Sequence, residues 1–363
     1  MRTLLIVGTG ELAREIVCSL AILDRPDLRL VIAGRTPART AELAYLATAR
    51  AATTPRRLLV ETATIDVLSA SDHGRLVDTH RPDCVVVCAS LQSPWERLQR
   101  PSEWTRFLGR AGLAAALPLQ AAIARRAALP AAAAGVPFLN ACLPDAVNPL
   151  LTELGLPVFS GLGNVALIAA SLVAALGLHG GQRLKVLAHH EHLNAGIPSA
   201  DEAIAFVDDE PVSDVGRLLA GQRSTPRPAL NALTGLVSAR LLIEILRGSP
   251  TFTNLPGPNG LPGGYPVRIA SGKVSLDLPP GLTPAAAIAA NRRWAARSGV
   301  VLEDGRVSFG EEIRTLFGEQ LPMLTEGFPV SALAEAEARL IHLQSRLRGG
   351  ALPALAESSV RPQ

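Results

Sequence analysis

Three of the chain's seven histidines, His189, His190 and His192, fall within four consecutive positions of the segment Ala188-His-His-Glu-His-Leu-Asn194. An imidazole titrates near neutral pH, so this cluster points to proton transfer to or from a substrate. A strand carried through the segment places His190 and His192 on one face, toward a common pocket, with His189 and Glu191 turned away. The same pair could be read as two metal ligands, but no third ligand can be named and no metal is expected. Asn164, at the start of an uncharged helical run, can hold a substrate oxygen or nitrogen. The expected catalytic set is therefore His190, His192 and Asn164.

A second group of residues reads as a cofactor cradle. Gly8-Thr9-Gly10-Glu11-Leu12-Ala13 directly follows an apolar run and opens a helical pattern, the context a dinucleotide fingerprint requires. Gly8 makes the tight turn, Gly10 leaves room for a pyrophosphate, and Ala13 permits close helix-to-strand packing. At the tip of the second strand stand Gly34, Arg35 and Thr36, with Arg39 one turn on. An acid there would hold a ribose 2′-hydroxyl; an arginine pairs with a 2′-phosphate, and Thr36 can donate to it. NADP(H) is expected over NAD(H). Asp66, past the third strand, either meets the adenine or caps a turn. Ala89 and Ser90 end the fourth strand on the path to the nicotinamide, and Asn140 or Asn148 after the fifth can contact its ribose.

The elements that position these groups follow a strand-then-helix rhythm over residues 1–150. Short apolar runs at 3–7, 29–33, 58–62, 83–88 and 137–141 suit strands buried on both faces of a parallel sheet. After residue 150 the rhythm changes. Helices are expected at 164–176 and 231–246, and strands at 184–188, 203–207, 265–270 and 273–278. A Gly/Pro-rich loop over 253–264 precedes the last two strands, and two helical stretches close the chain. The division is an NADP-binding domain (1–150), a substrate domain (151–345) and a flexible tail (346–363).

Composition sets the outer bounds. The 363 residues are 48% hydrophobic and only 18% charged, with 59 Gly plus Pro (31 and 28), which suits about two compact domains. The net charge of +3 comes from 35 basic and 32 acidic residues without a basic block, so no nucleic acid partner is expected. Cys18, Cys84, Cys88 and Cys142 match no zinc spacing and read as buried thiols of a reduced, cytoplasmic protein. The N-terminus lacks the features of a secretion signal. Residues 156–178 carry no charge, but Gly161 and Gly163 leave a helix of core length, so no membrane span is expected. Low charge also suits a subunit interface, and a homodimer or higher homo-oligomer is expected.

Taken in order, Asn140-Ala-Cys-Leu-Pro-Asp-Ala-Val-Asn148-Pro149, Gly161-Leu-Gly163-Asn164, the histidine cluster, and a Gly-rich loop before Tyr265-Pro-Val-Arg resemble the lactate/malate dehydrogenase-like superfamily. The resemblance covers roughly residues 1–320. It implies an α/β fold: a Rossmann-type doubly wound parallel sheet followed by an α+β substrate domain. It also implies a catalytic histidine, at His190 or His192, held by an aspartate, with an arginine gripping a substrate carboxylate. Those last two positions fall near Leu167 and Ala170, which can do neither. Specificity for 2-hydroxy acids is therefore not carried over. The expected function is an NADP(H)-dependent oxidoreductase acting on a small ketone or imine, or the matching alcohol or amine. One alternative is a saccharopine- or opine-dehydrogenase-like coupling enzyme, which Gly34-Arg35-Thr36-Pro37 also suits. Another is a non-catalytic NADP-binding regulatory protein, which the missing aspartate and arginine favour.

Overall fold

Leu4-Leu5-Ile6-Val7 has no polar side, which suits only a strand covered on both faces. In the structure, a computed structural model that describes residues 1–349, all four side chains are buried in strand β1 (Arg2–Val7). Each contributes roughly 1.5–3 kcal/mol by leaving water. The chain continues through α1 (Glu11–Ile22), β2 (Leu28–Gly34), α2 (Pro37–Ala51), β3 (Leu58–Thr64), α3 (Ala70–His80) and β4 (Cys84–Val87). A loop with the short helix α4 (Glu96–Gln99) and α5 (Glu103–Ala111) leads to α6 (Leu117–Ala133). Then come β5 (Phe138–Asn140), α7 (Pro144–Glu153) and β6 (Ser160–Gly161).

These six strands form one parallel sheet in the order β3-β2-β1-β4-β5-β6, so the winding reverses between β1 and β4. Such a reversal opens a crevice at the carboxyl ends of the strands, where ligands bind in sheets of this type. Strand alternation sorts the core into two sides. Leu5 and Val7 pack with Trp104, Leu119, Val147 and Phe317, whereas Leu4 and Ile6 pack with Ile16, Leu43, Leu242 and Trp294. The sixth strand lies beyond residue 150, so the sheet extends past the expected seam.

The second half begins with α8 (Asn164–Leu176), β7 (Leu184–Leu187), β8 (Ile204–Val207) and β9 (Glu210–Pro211). Short helices α9 (Val215–Leu218) and α10 (Ala220–Ser224) precede the long α11 (Arg227–Arg247) and the sheet of β10 (Thr251–Pro256), β11 (Gly264–Ala270) and β12 (Lys273–Leu276). The described chain ends with α12 (Pro284–Arg297), β13 (Val300–Glu303), β14 (Arg306–Phe309), α13 (Glu311–Gln320), β15 (Phe328–Pro329) and α14 (Leu333–Leu347).

Several expectations are corrected here. The 253–264 loop begins inside a strand, β10, because Asn254 serves as a bridge: its Oδ1 accepts from Val186 N–H at 2.7 Å and its Nδ2 donates to the Leu184 carbonyl at 3.0 Å. Pro256 is tolerated because β10 is an edge strand. The closing region is not two helices alone, since Asp304 and Gly305, both at positive φ, turn β13 back onto β14. Residues 346 and 347, expected in the tail, belong to α14, which runs through Leu347; residues 350–363 lie outside the described residues. α8 is a 13-residue helix, largely packed into the second half. Helix α11 is long and apolar enough to cross a membrane. Here it lies along α1, with Ala239 and Leu242 buried in the shared core.

The α1–α11 crossing depends on Gly235. A Cβ there would stand 2.3 Å from Glu15 Cβ and 2.7 Å from Glu15 backbone. The close approach fixes the height at which α11 presents Arg227, Asn231 and Thr234. G235A should push the helices apart and cost about 1–3 kcal/mol by overpacking, read as a lower urea midpoint at unchanged slope. An unaltered midpoint would show that the crossing can slide freely.

Candidate active site

The crevice between β1 and β4 opens into a cleft of about 1810 Å³, lined at one end by Gly8, Thr9, Gly10, Glu11 and Leu12. Two of the fingerprint glycines have separate structural reasons. Gly8 has φ +124, and a Cβ on it would lie 2.9 Å from the Cys88 carbonyl carbon and oxygen. At Gly10 a Cβ would meet nothing within 4 Å, so the space in front of α1 is open. Gly10 caps α1 without a side-chain acceptor, which leaves first-turn N–H groups aimed at that space. Ala13 is fully buried and belongs to the core, not the cleft wall.

Gly34, Arg35, Thr36 and Arg39 line the same end. Arg35 and Arg39 are exposed and form no ion pair among the described residues, and Thr36 caps α2 without using its side chain. Ala89 and Ser90 line the floor. Two expected cofactor contacts turn out to be structural. Asp66 Oδ1 accepts from Leu68 N–H at 2.9 Å and so caps a turn, leaving Val67 and Leu68 on the cleft wall. Asn140 is buried: its Nδ2 donates to Cys142 O and Asn148 Oδ1, and its Oδ1 accepts from Cys142 N–H. The turn out of β5 uses every polar atom of that side chain.

The turn's product is a buried carboxylate. Leu143, held at φ +44, sends the chain into α7 with Pro144 in the first turn, and Asp145 follows with its side chain fully enclosed. Asn164, at the start of α8, donates Nδ2 to Asp145 Oδ2 at 2.6 Å. His190 Nδ1 stands 3.2 Å from the same oxygen, and its Nε2 stands 3.2 Å from Glu191 Oε1. Burial opposes the charged ring, but Asp145 and Glu191 outweigh it and push the His190 pKa up to about 9. Burial likewise opposes Asp145 ionisation, yet His190, His189 and Asn164 hold it below the ordinary carboxylate range. Contact with His190 holds Glu191 low as well.

The other two histidines take different parts. β7 ends at Leu187 and the chain coils into a 3₁₀ turn over His190–Leu193, so strand alternation does not apply and His190 and His192 do not share a pocket. The reason is that Ala188 exchanges backbone hydrogen bonds with Gly264, after which the ladder stops. His192 is buried outside the cleft wall. Its Nδ1 accepts from His189 N–H at 2.8 Å, its Nε2 donates to the Asp201 carbonyl at 2.9 Å, and its ring meets Trp294 edge-on. His192 therefore braces the turn and is not part of the site, nor can it join His190 around a metal. His189 packs its ring 4.2 Å from that of His190. Burial and the neighbouring His190 charge push its pKa down to about 3.

Beyond His190, the cleft is walled by Glu191, Asn194, Arg227, Asn231 and Thr234. Arg227 Nη2 donates to Leu193 O and Asn194 Oδ1. On the far side the loop after β4 is tied to α14. Arg348 grips both oxygens of buried Glu96 at 2.6 and 2.5 Å, while Gln92 links Glu96, Trp104 and Gln344.

Solved structures similar to this chain in architecture include three dehydrogenases. A lactate dehydrogenase enzyme, MGS-M5, from a Medee basin deep-sea metagenome library is 15% identical with a TM-score of 0.55, covering 82% of this chain and 99% of that one. The minor L-lactate dehydrogenase of Enterococcus mundtii is 16% identical with a TM-score of 0.53, and the malate dehydrogenase of Picrophilus torridus is 13% identical with a TM-score of 0.54. Each of these two covers 82% of this chain and 96% of its own. The chain has the lactate/malate dehydrogenase fold. No family model matches its sequence, and no curated protein does. Within the lactate/malate dehydrogenase fold, the orienting aspartate was expected near Leu167, an apolar residue on α8. The carboxylate that holds His190 comes instead from α7. Asp145 was missed because its partner lies 45 positions away.

The paired charges link stability to pH. The His190 pKa is raised above its unfolded value, so its contribution is complete below about pH 6.5 and is lost as pH rises through about 9. His189 acts in the opposite sense, its folded pKa being depressed: its contribution is present above about pH 6.5 and is lost as pH falls toward 3. Urea unfolding at pH 6.5 and 9.5 should show the wild-type protein losing stability at the higher pH. D145N, lacking the anion, should be less stable by about 3 kcal/mol at pH 6.5 and lose less between the two pH values. Equal pH dependence in both proteins would remove Asp145 as the group that holds the His190 proton.

Proposed function

We propose that the protein is an NADP(H)-dependent oxidoreductase that moves a hydride to or from a substrate carbon bearing oxygen or nitrogen. The observation that carries this reading is the presence, along one cleft, of the open space before α1 and the buried Asp145–His190 pair. The residues fit the cofactor. Gly8 and Gly10 leave backbone N–H groups and room for a pyrophosphate, and Arg35, Thr36 and Arg39 offer side-chain donors without a partner among the described residues where a 2′-phosphate would stand. No acid occupies the tip of β2 to hold a free 2′-hydroxyl. A bound nicotinamide dinucleotide supplies or accepts the hydride.

The chain's own residues manage the accompanying proton. His190, protonated at neutral pH, is set to donate in the reducing direction, and Asp145 stabilises the charge before transfer and fixes the ring. Asn164 keeps Asp145 turned toward His190. Asp145 also offers a carboxylate beside the histidine, one of the two groups, with the arginine, whose absence favours a non-catalytic protein. The lactate and malate dehydrogenases of the same fold lend this reading support by likeness of architecture.

Two outcomes are expected. Fluorescence titration should give NADPH at least about tenfold tighter binding than NADH, and R35A should abolish the difference, since a charged hydrogen bond is worth about 1.5–3 kcal/mol. Equal affinities in the wild-type protein would overturn the cofactor assignment. With a turned-over substrate, kcat/KM for reduction should hold up to about pH 8 and fall through about 9 as His190 loses its proton, while oxidation rises over the same range. The reverse order would contradict the role of His190.

A further inference from the structure

The charges around His190 narrow the substrate class, and this step rests on the oxidoreductase reading above. Both ring nitrogens of His190 face carboxylates, Asp145 at Nδ1 and Glu191 at Nε2, each at 3.2 Å. Two anions bracket one cation, so the group carries net negative charge. Of the two carboxylates, Glu191 is the one that reaches solvent, with 24% of its side chain exposed on the cleft wall. The Arg227 guanidinium, which donates to Leu193 O and Asn194 Oδ1, is influenced by the Glu191 charge. Neutral Asn164 and His189 stand beside Asp145 and His190, and the Asn194 side chain bonds to Glu191.

Reduction of a ketone builds negative charge on oxygen at the point where the proton arrives. Glu191, beside His190 Nε2, would oppose that charge. Reduction of an imine passes through a cation, and amine oxidation builds one, so a carboxylate in the same place stabilises the reacting nitrogen. We propose that the cleft takes an amine or imine, and that Glu191 is the counter-ion for its nitrogen. In the reducing direction, His190 Nε2 gives its proton to the neutral imine nitrogen, and Glu191 pairs with the resulting iminium N–H. A bound reduced nicotinamide dinucleotide would supply the hydride for the new C–H bond and be left oxidised, while the π pair of C=N moves to nitrogen to give the neutral amine. The sum is imine plus a proton plus hydride giving amine, with His190 afterwards reprotonated from water.

The test uses the full chain and probes matched in shape. NADPH oxidation is followed with 1-pyrroline and with cyclopentanone. Pyrrolidinium and cyclopentanol are titrated calorimetrically, with and without NADP⁺, into wild-type protein and E191Q. The expected result is reduction of 1-pyrroline about 100-fold faster in kcat/KM than of cyclopentanone, and pyrrolidinium binding about tenfold tighter than cyclopentanol. E191Q should erase both preferences while leaving NADPH affinity unchanged. Faster reduction of cyclopentanone, or preferences that survive in E191Q, would overturn the proposal. Equal binding of pyrrolidinium and cyclopentanol would do so even if neither probe turned over. Absence of NADPH binding would instead sink the oxidoreductase reading, and pyrrolidinium discrimination at Glu191 would still be measurable without the dinucleotide.

Discussion

A buried carboxylate must find a cation, and the second half of this molecule is arranged around the way Asp145 finds His190. Asp145 has no access to water, so leaving it unpaired would cost several kcal/mol. The strained turn at Leu143 brings it inward from α7, and Asn164 meets it from α8. The 3₁₀ turn after β7 brings His190 against it. That turn is itself held from three directions: by the Ala188–Gly264 backbone pair, by the His192 bridge to Asp201, and by Arg223, which donates to His192 O while paired with Glu202. One ion pair thus joins the carboxyl edge of the parallel sheet to the antiparallel half.

The Gly-rich loop between β10 and β11 serves the same junction. Gly263 donates its N–H to the Asp145 carbonyl, and Gly264 pairs with Ala188. Side chains at these positions would collide with Asn291 and Val165. The loop is glycine-rich because backbone must lie directly beneath the site, not because it cradles a ligand. The same economy appears at Asn140 and Asn148, whose amides close the β5–α7 turn and reach Gly257.

Much of the fold can be read from the sequence because its strands are buried on both faces, and runs such as Leu4–Val7 and Cys84–Val87 announce this locally. The position of the fingerprint glycines and Arg35 on the cleft was expected for the same reason, since each belongs to a short motif at a strand end; His190 was expected only as an alternative to His192, on a strand geometry that the 3₁₀ turn replaces. What escaped depends on long-range contact. Asp145 gains its meaning only from His190, and its sole local sign was an acid following proline at a helix start. His192 was misplaced because period-two reasoning was carried past the end of β7 at Leu187. β10 was hidden by its proline and asparagine, whose roles at a sheet edge and as a bridge to β7 are tertiary. The Asp304-Gly305 turn, by contrast, was a hairpin signal within reach.

At the centre of the site, His190 stands between two carboxylates in a cleft that also opens onto the first turn of α1. The most direct test is an NMR titration of the ring of His190, assigned by comparison with H190Q, in the otherwise unaltered protein. An inflection near pH 9 would agree with the account. An inflection at or below the unperturbed value of about 6.5 would contradict it, since His190 would then be neutral under the conditions in which it is taken to hold the proton.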